Sequence, residues 1–128
     1  MSPPGFEPVR RALHGRRILV AEHDDAMASR LSGMLESSGC SVIGPAATSG
    51  ASVDLLRGEE IDAAIVGFDL RDRTAHAVMD ELSVRDIPFL LTSAFPAPPL
   101  PMKWRPYLML EPPLMLAQVQ TALARMLA

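Results

Sequence analysis

The feature that most constrains this chain is a regular alternation, from Arg17 to the C-terminus, of short apolar runs with stretches of helical periodicity. A strand buried on both faces reads as a near-continuous apolar run, whereas a helix laid on a sheet repeats its apolar residues at three and four positions. Ile18–Ala21, Ser41–Ile43, Ile61–Val66, Ile87–Leu91 and Tyr107–Leu110 are accordingly predicted as five strands. After the first, Asp24 or Asp25 is placed to cap a helix with Met27, Leu31, Met34 and Leu35 on its inner face and Gly39 at its end. Pro45 turns the chain after the second, and Thr48 or Ser49 caps a helix through Leu55 and Leu56 that stops near Gly58. Thr74 caps a third helix with Ala75, Val78 and Leu82 inward. Leu116, Val119, Leu123 and Leu127 form the inner stripe of the last. Repeated strand–helix units of this length make crossover connections. The fold class is therefore α/β, a doubly wound five-stranded parallel sheet.

One segment breaks the rhythm. Pro96, Pro98, Pro99, Pro101 and Pro106 crowd the stretch where the helix between the fourth and fifth strands belongs, so that helix is expected to be lost or shortened. Met102 and Trp104 in this segment, with Tyr107 after it, either cover the sheet edge or offer a partner surface. Residues 1–15, with Pro3, Pro4, Gly5 and Pro8, read as a partly ordered leader to a domain over 16–128. A net charge of −3 and a pI near 5.5 argue against a nucleic-acid surface. Arg10, Arg11, Arg16 and Arg17 fit a solvated entry to the first strand. The longest uncharged run, Ile87–Met102, is broken by prolines and makes a poor membrane span. The single Cys40 lies in an apolar setting and reads as a small core residue in a reducing, cytoplasmic compartment.

In an open parallel sheet the loops at the carboxyl ends of the strands form the working face. The first strand delivers Glu22, His23, Asp24 and Asp25. The third delivers Gly67, Phe68 and Asp69, the fourth Thr92, Ser93 and Ala94, and the fifth Glu111 ahead of Pro112. Asp24 and Asp25 precede a helix, where carboxylates satisfy free N–H groups and suit the dipole. His14 and His76 are expected at the surface.

This layout, with Ile18-Leu-Val-Ala-Glu22, the Gly44-Pro45 turn, Asp62-Ala-Ala-Ile-Val66 and Ile87-Pro-Phe-Leu-Leu-Thr-Ser93, resembles the receiver domain of two-component response regulators, from about Arg17 to Leu127. The resemblance implies a flavodoxin-like strand order 2-1-3-4-5 and a signalling module rather than an enzyme. It also implies a partner such as a histidine kinase or downstream regulator, and a dimer or target contact through the 95–127 face. Carried over position by position, it implies an altered phosphorylation site. Glu22 matches the first acid of the family's acidic pair, and His23 stands at the second. Gly67 replaces the phosphoacceptor aspartate, Ser93 keeps the hydroxyl, and Glu111 occupies the lysine position. Phosphoryl transfer needs a carboxylate nucleophile, a Mg²⁺ on acidic oxygens and a cation for the developing charge. Gly67 removes the first, His23 weakens the second and Glu111 reverses the third. The expectation is a pseudo-receiver with no cofactor and weakened Mg²⁺ binding, for which Glu22 and Asp69 are the candidate ligands. His23 is expected to pair with Glu22 or Glu111 in place of the missing lysine contact.

Two alternatives stand beside it. Asp69, two residues beyond Gly67, is an alternative phosphoacceptor in a divergent active receiver. A flavodoxin-like cofactor binder is the other, although Glu22-His-Asp-Asp25 presents carboxylates where a phosphate cradle wants glycines and hydroxyls.

Overall fold

The computed structural model describes residues 6–93, 103–104 and 106–128. The elements in chain order are α1 (Phe6–Leu13), β1 (Arg17–Ala21), α2 (Asp25–Ser37), β2 (Ser41–Ala46), α3 (Ser49–Gly58), β3 (Ala63–Gly67), α4 (His76–Val84), β4 (Phe89–Thr92), β5 (Leu108–Leu110) and α5 (Leu116–Leu127). The strands form one parallel sheet in the order β2-β1-β3-β4-β5. Residues 94–102, where the sequence predicts a lost or shortened helix between β4 and β5, lie outside the described residues, and Met102 with them.

Alternate residues of the central strands divide the core in two, as the two-residue repeat of a strand requires. Ile18, Val20, Ile65 and Leu90 face α2 and α5 through Leu31, Leu35, Val119 and Leu123. Leu19, Ala21, Ala64, Val66, Phe89 and Leu91 face α3 and α4 through Leu56, Val78, Met79 and Leu82. Each fully buried branched side chain contributes roughly 1.5–3 kcal/mol through removal from water. Cys40 is buried in the first cluster, and burial pushes its thiol up to about 11. The first cluster also contains Leu13, fully buried at the end of α1, with Val9 packed against it. The leader segment thus supplies a helix that packs on α5.

Several local expectations change. β2 does not end at Ile43: it continues through a bulge to Ala46, which pairs with Ala21. Gly44 makes this passage at φ +98°, where a Cβ would meet the Ala46 nitrogen at 2.8 Å and the Val20 oxygen at 3.0 Å. Thr74 does not cap α4. It forms a bridge with Asp69, the Ala75 N–H donates to the Phe68 carbonyl at 2.8 Å, and the helix begins at His76. Leu116 is 42% exposed, because Leu114 ahead of the helix enters the core in its place. Asp24 and Thr48 cap as expected, accepting from the N–H groups of Met27 at 2.8 Å and Ala51 at 3.1 Å.

Candidate functional site

The carboxyl ends of β1, β3 and β4 open into a cleft of about 430 Å³, lined by Glu22, His23, Gly67, Asp69, Thr92 and Ser93, with Met27, Arg30, Phe68 and Pro112 at its sides. Backbone pairing sets its floor. Gly67 pairs with Thr92, the Phe68 N–H donates to the Thr92 carbonyl at 2.9 Å, and the Ser93 N–H donates to the Leu110 carbonyl at 3.2 Å. Beside these, the Glu22 N–H donates to the Ala46 carbonyl at 2.9 Å. That bond exists only because β2 runs on past its bulge.

Glu22 is 7% exposed, an unusual depth for a carboxylate. Its Oε1 accepts from the Asp24 N–H at 3.2 Å and lies 3.3 Å from His23 Nδ1. Burial raises its pKa above the ordinary carboxylate range, against the lowering effects of the Asp24 N–H and of His23. The other oxygen, Oε2, reaches over Gly67, 2.5 Å from where a Cβ would stand. His23 Nδ1 is also 2.8 Å from the Asp69 carbonyl. A carbonyl only accepts, so Nδ1 carries the proton and donates.

Arg71 and Asp72, which nothing in the sequence singled out, tie the loops together. Arg71 donates from its backbone N–H to the Ala47 carbonyl at 3.0 Å, from Nε to the His23 carbonyl at 3.2 Å and from Nη2 to Asp25 Oδ1 at 2.8 Å. Asp72 accepts from the Ser49 and Gly50 N–H groups at 2.7 and 3.3 Å, and these bonds at the start of α3 hold its carboxyl below the usual range. A run of loop charges carries no sequence signal of which neighbouring loop it will reach.

The fold brings Glu22, His23, Gly67, Asp69 and Ser93 together, but it leaves Glu111 exposed and off the cleft, which Pro112 lines instead. Of the two partners expected for His23, Glu22 lies 3.3 Å from its Nδ1 while Glu111 lies off the cleft, and the Asp69 carbonyl is a further contact. Arg30 is the guanidinium at the cleft, and its Nη2 donates to the Leu114 carbonyl at 2.9 Å. Of the residues considered for a partner surface, Tyr107 is 47% exposed, while Trp104 is only 7% exposed and covers α4. Its Nε1 donates to Asp80 Oδ1 at 2.6 Å, and its ring stacks on His76 with centroids 4.5 Å apart.

Mg²⁺ asks for a near-octahedral set of oxygens. The Glu22 carboxylate is turned toward Gly67, Asp24 Oδ1 is occupied by the Met27 N–H, the Asp69 carbonyl is engaged by His23, and the Asp69 carboxylate is the remaining acid at the cleft. Among the described residues no three His, Cys, Asp or Glu side chains converge to hold a metal. The donor set is a poor match to the ion. No helix of the described residues is long and apolar enough to cross a membrane.

The fold is that of the receiver domains of response regulators. The receiver domain of sensor histidine kinase PA1611 from Pseudomonas aeruginosa, solved with magnesium in its active-site cleft, superposes with a TM-score of 0.78 at 20% identity over 88% of this chain and 98% of that one. A double mutant of the anti-anti-sigma factor PhyR from Bartonella quintana gives 0.80 at 22% identity over 94% of this chain and 51% of its own, so the chain spans about half of that protein. SdrG from Sphingomonas melonis gives 0.73 at 25% identity over 91% and 98%. No protein-family model matches the sequence, and no curated protein matches it significantly.

Proposed function

We propose that this chain is a receiver-like signalling module that acts by protein contact and without aspartyl phosphorylation. The observation that carries the reading is the end of β3, where the position of a nucleophile holds Gly67 and the space beside it is taken by the Glu22 carboxylate. Two further features favour it: the donors at the cleft are a poor match to Mg²⁺, and Glu111, at the position expected of a lysine, does not line the cleft. No residue is assigned a catalytic role. The partner is a signalling protein of the histidine kinase or downstream-regulator type, or a second copy of the chain, in the cytoplasm. The surface proposed for that contact carries Tyr107, Leu108, Met109, Met115 and Leu116, each between 42% and 61% exposed.

Adding Mg²⁺ with acetyl phosphate or beryllofluoride, and recording intact mass and amide shifts, tests the reading. The expected result is an unchanged mass and no shifts around Gly67. A stable adduct mapping to Asp69 would overturn it.

A further inference from the structure

The backbone at Gly67 does not call for glycine. Its φ is not among the positive glycine values, which occur at Gly15, Gly39 and Gly44. Space is what calls for it. A Cβ there would lie 2.5 Å from Glu22 Oε2 and 3.2 Å from Glu22 Cδ, and side-chain carbons do not approach a carboxylate oxygen that closely. A clash with the tip of a long side chain is ordinarily relieved by a small swing. Here the tip is held: Glu22 is 7% exposed, its Oε1 accepts from the Asp24 N–H, and His23 stands 3.3 Å from the same oxygen.

We propose that Gly67 is a berth for the Glu22 carboxylate, and that the two positions are a matched pair whose fit keeps this acid folded over the end of β3 at the wall of the cleft. The Ala21 carbonyl lies 3.5 Å from the same Cβ position, and Ala21 and Val66 are fully buried on the paired strands. A displaced Glu22 would move away from Gly67 toward the other residues that line the cleft, among them His23, Asp24 and Met27. Leaving the berth breaks the Asp24 bond, which fixes the first turn of the β1–α2 loop. The berth is thus a self-contained lock: the chain fills its own acceptor position with its own acid. Gly67→Asp would set a second carboxylate against the first, which like charges at contact oppose.

This inference deepens the reading of the site as an inactive receiver, and the two fail separately. Phosphate on Asp69 would refute that reading and leave the berth intact, whereas the following cycle refutes the berth alone. In the full chain, Gly67→Ala, Glu22→Ala and the double variant are compared by urea unfolding and by the amide resonance of Asp24. Coupled neighbours typically show cycle energies corresponding to roughly 2- to 150-fold in an equilibrium constant. The expected result is that Gly67→Ala lowers the folding constant by about fivefold or more with Glu22 present and by less than about twofold without it, within that range. It should also move the Asp24 amide in the direction that Glu22→Ala does. Equal effects in both backgrounds, or an Asp24 amide that Gly67→Ala leaves in place, would overturn the proposal. Should Glu22→Ala not fold, Glu22→Asp provides the second background, since the shorter acid withdraws from the berth and should tolerate Gly67→Ala on the same criteria.

Discussion

At the scale of the residue, Glu22 is where burial and charge oppose each other most directly. Its pKa is raised by burial, so the folded state holds a proton that the unfolded chain has already released over the interval between its ordinary value and the raised one. Folding stability contributed by this group consequently falls as pH rises through that interval and does not return above it. Replacement by Gln keeps the shape and the acceptor for the Asp24 N–H while removing the charge. Glu22→Gln is expected to abolish this decline and to leave the protein more stable than the parent at pH 7, as read from urea midpoints between pH 4 and pH 8. A variant less stable than the parent throughout would show that pairing with His23 outweighs the burial cost. Asp72 has the opposite sign: its lowered pKa adds stability that is present above the ordinary carboxylate value and is lost as pH falls through the folded one. Residue identities at the altered positions, Gly67, His23 and Glu111, are legible from the sequence. Their consequences are not, because whether Glu22 lies over Gly67 or turns away from it is a matter of rotamer and neighbours.

Among elements, the contact between the segment after β4 and helix α4 turns on the chain's one tryptophan. Trp104 donates to Asp80, stacks on His76, and lies beneath Lys103, whose Nζ is 4.7 Å from the ring centroid; Ser83 donates to the Lys103 carbonyl at 3.1 Å. Phe68, a wall of the cleft, also meets His76, edge-on at 5.8 Å. A hydrogen bond to a charged group contributes about 1.5–3 kcal/mol when buried and less at a half-open site such as this. Asp80→Asn weakens that bond, and the expected result is a red-shifted Trp104 emission at unchanged far-ultraviolet circular dichroism. An unmoved emission maximum would mean that stacking alone holds the indole. The strand and helix periodicities predict these elements to within a few residues. The start of α4 falls later than they suggest because Thr74, a good capping residue by type, is instead occupied in a bridge with Asp69.

For the whole molecule, the sheet order places β5 at an edge and α5 beside it, and the apolar side chains there have not been drawn into the core. Self-association through this face is expected to fail when Leu108, 43% exposed, becomes a charge. Sedimentation velocity on the parent and on Leu108→Asp checks it. A parent that is monomeric at every concentration would sink the dimer, leaving contact with another signalling protein for the same face. At the other end of the chain, the periodicity from Arg17 onward could not announce α1, because a proline-bearing segment of eight residues has little helical propensity of its own and is stabilised by burying Leu13.

Local pattern was enough to establish the alternation of strand and helix, and so the doubly wound sheet, because burial on both faces leaves a periodicity that neighbouring residues can carry. It was also enough to place Gly67 at the end of β3. Packing alone settles that Glu111 leaves the site, that Trp104 turns inward, that Arg71 and Asp72 bind neighbouring loops, and that Glu22 lies over Gly67. Each of these depends on the distance between residues far apart in the chain, which the tertiary arrangement sets and no local pattern records.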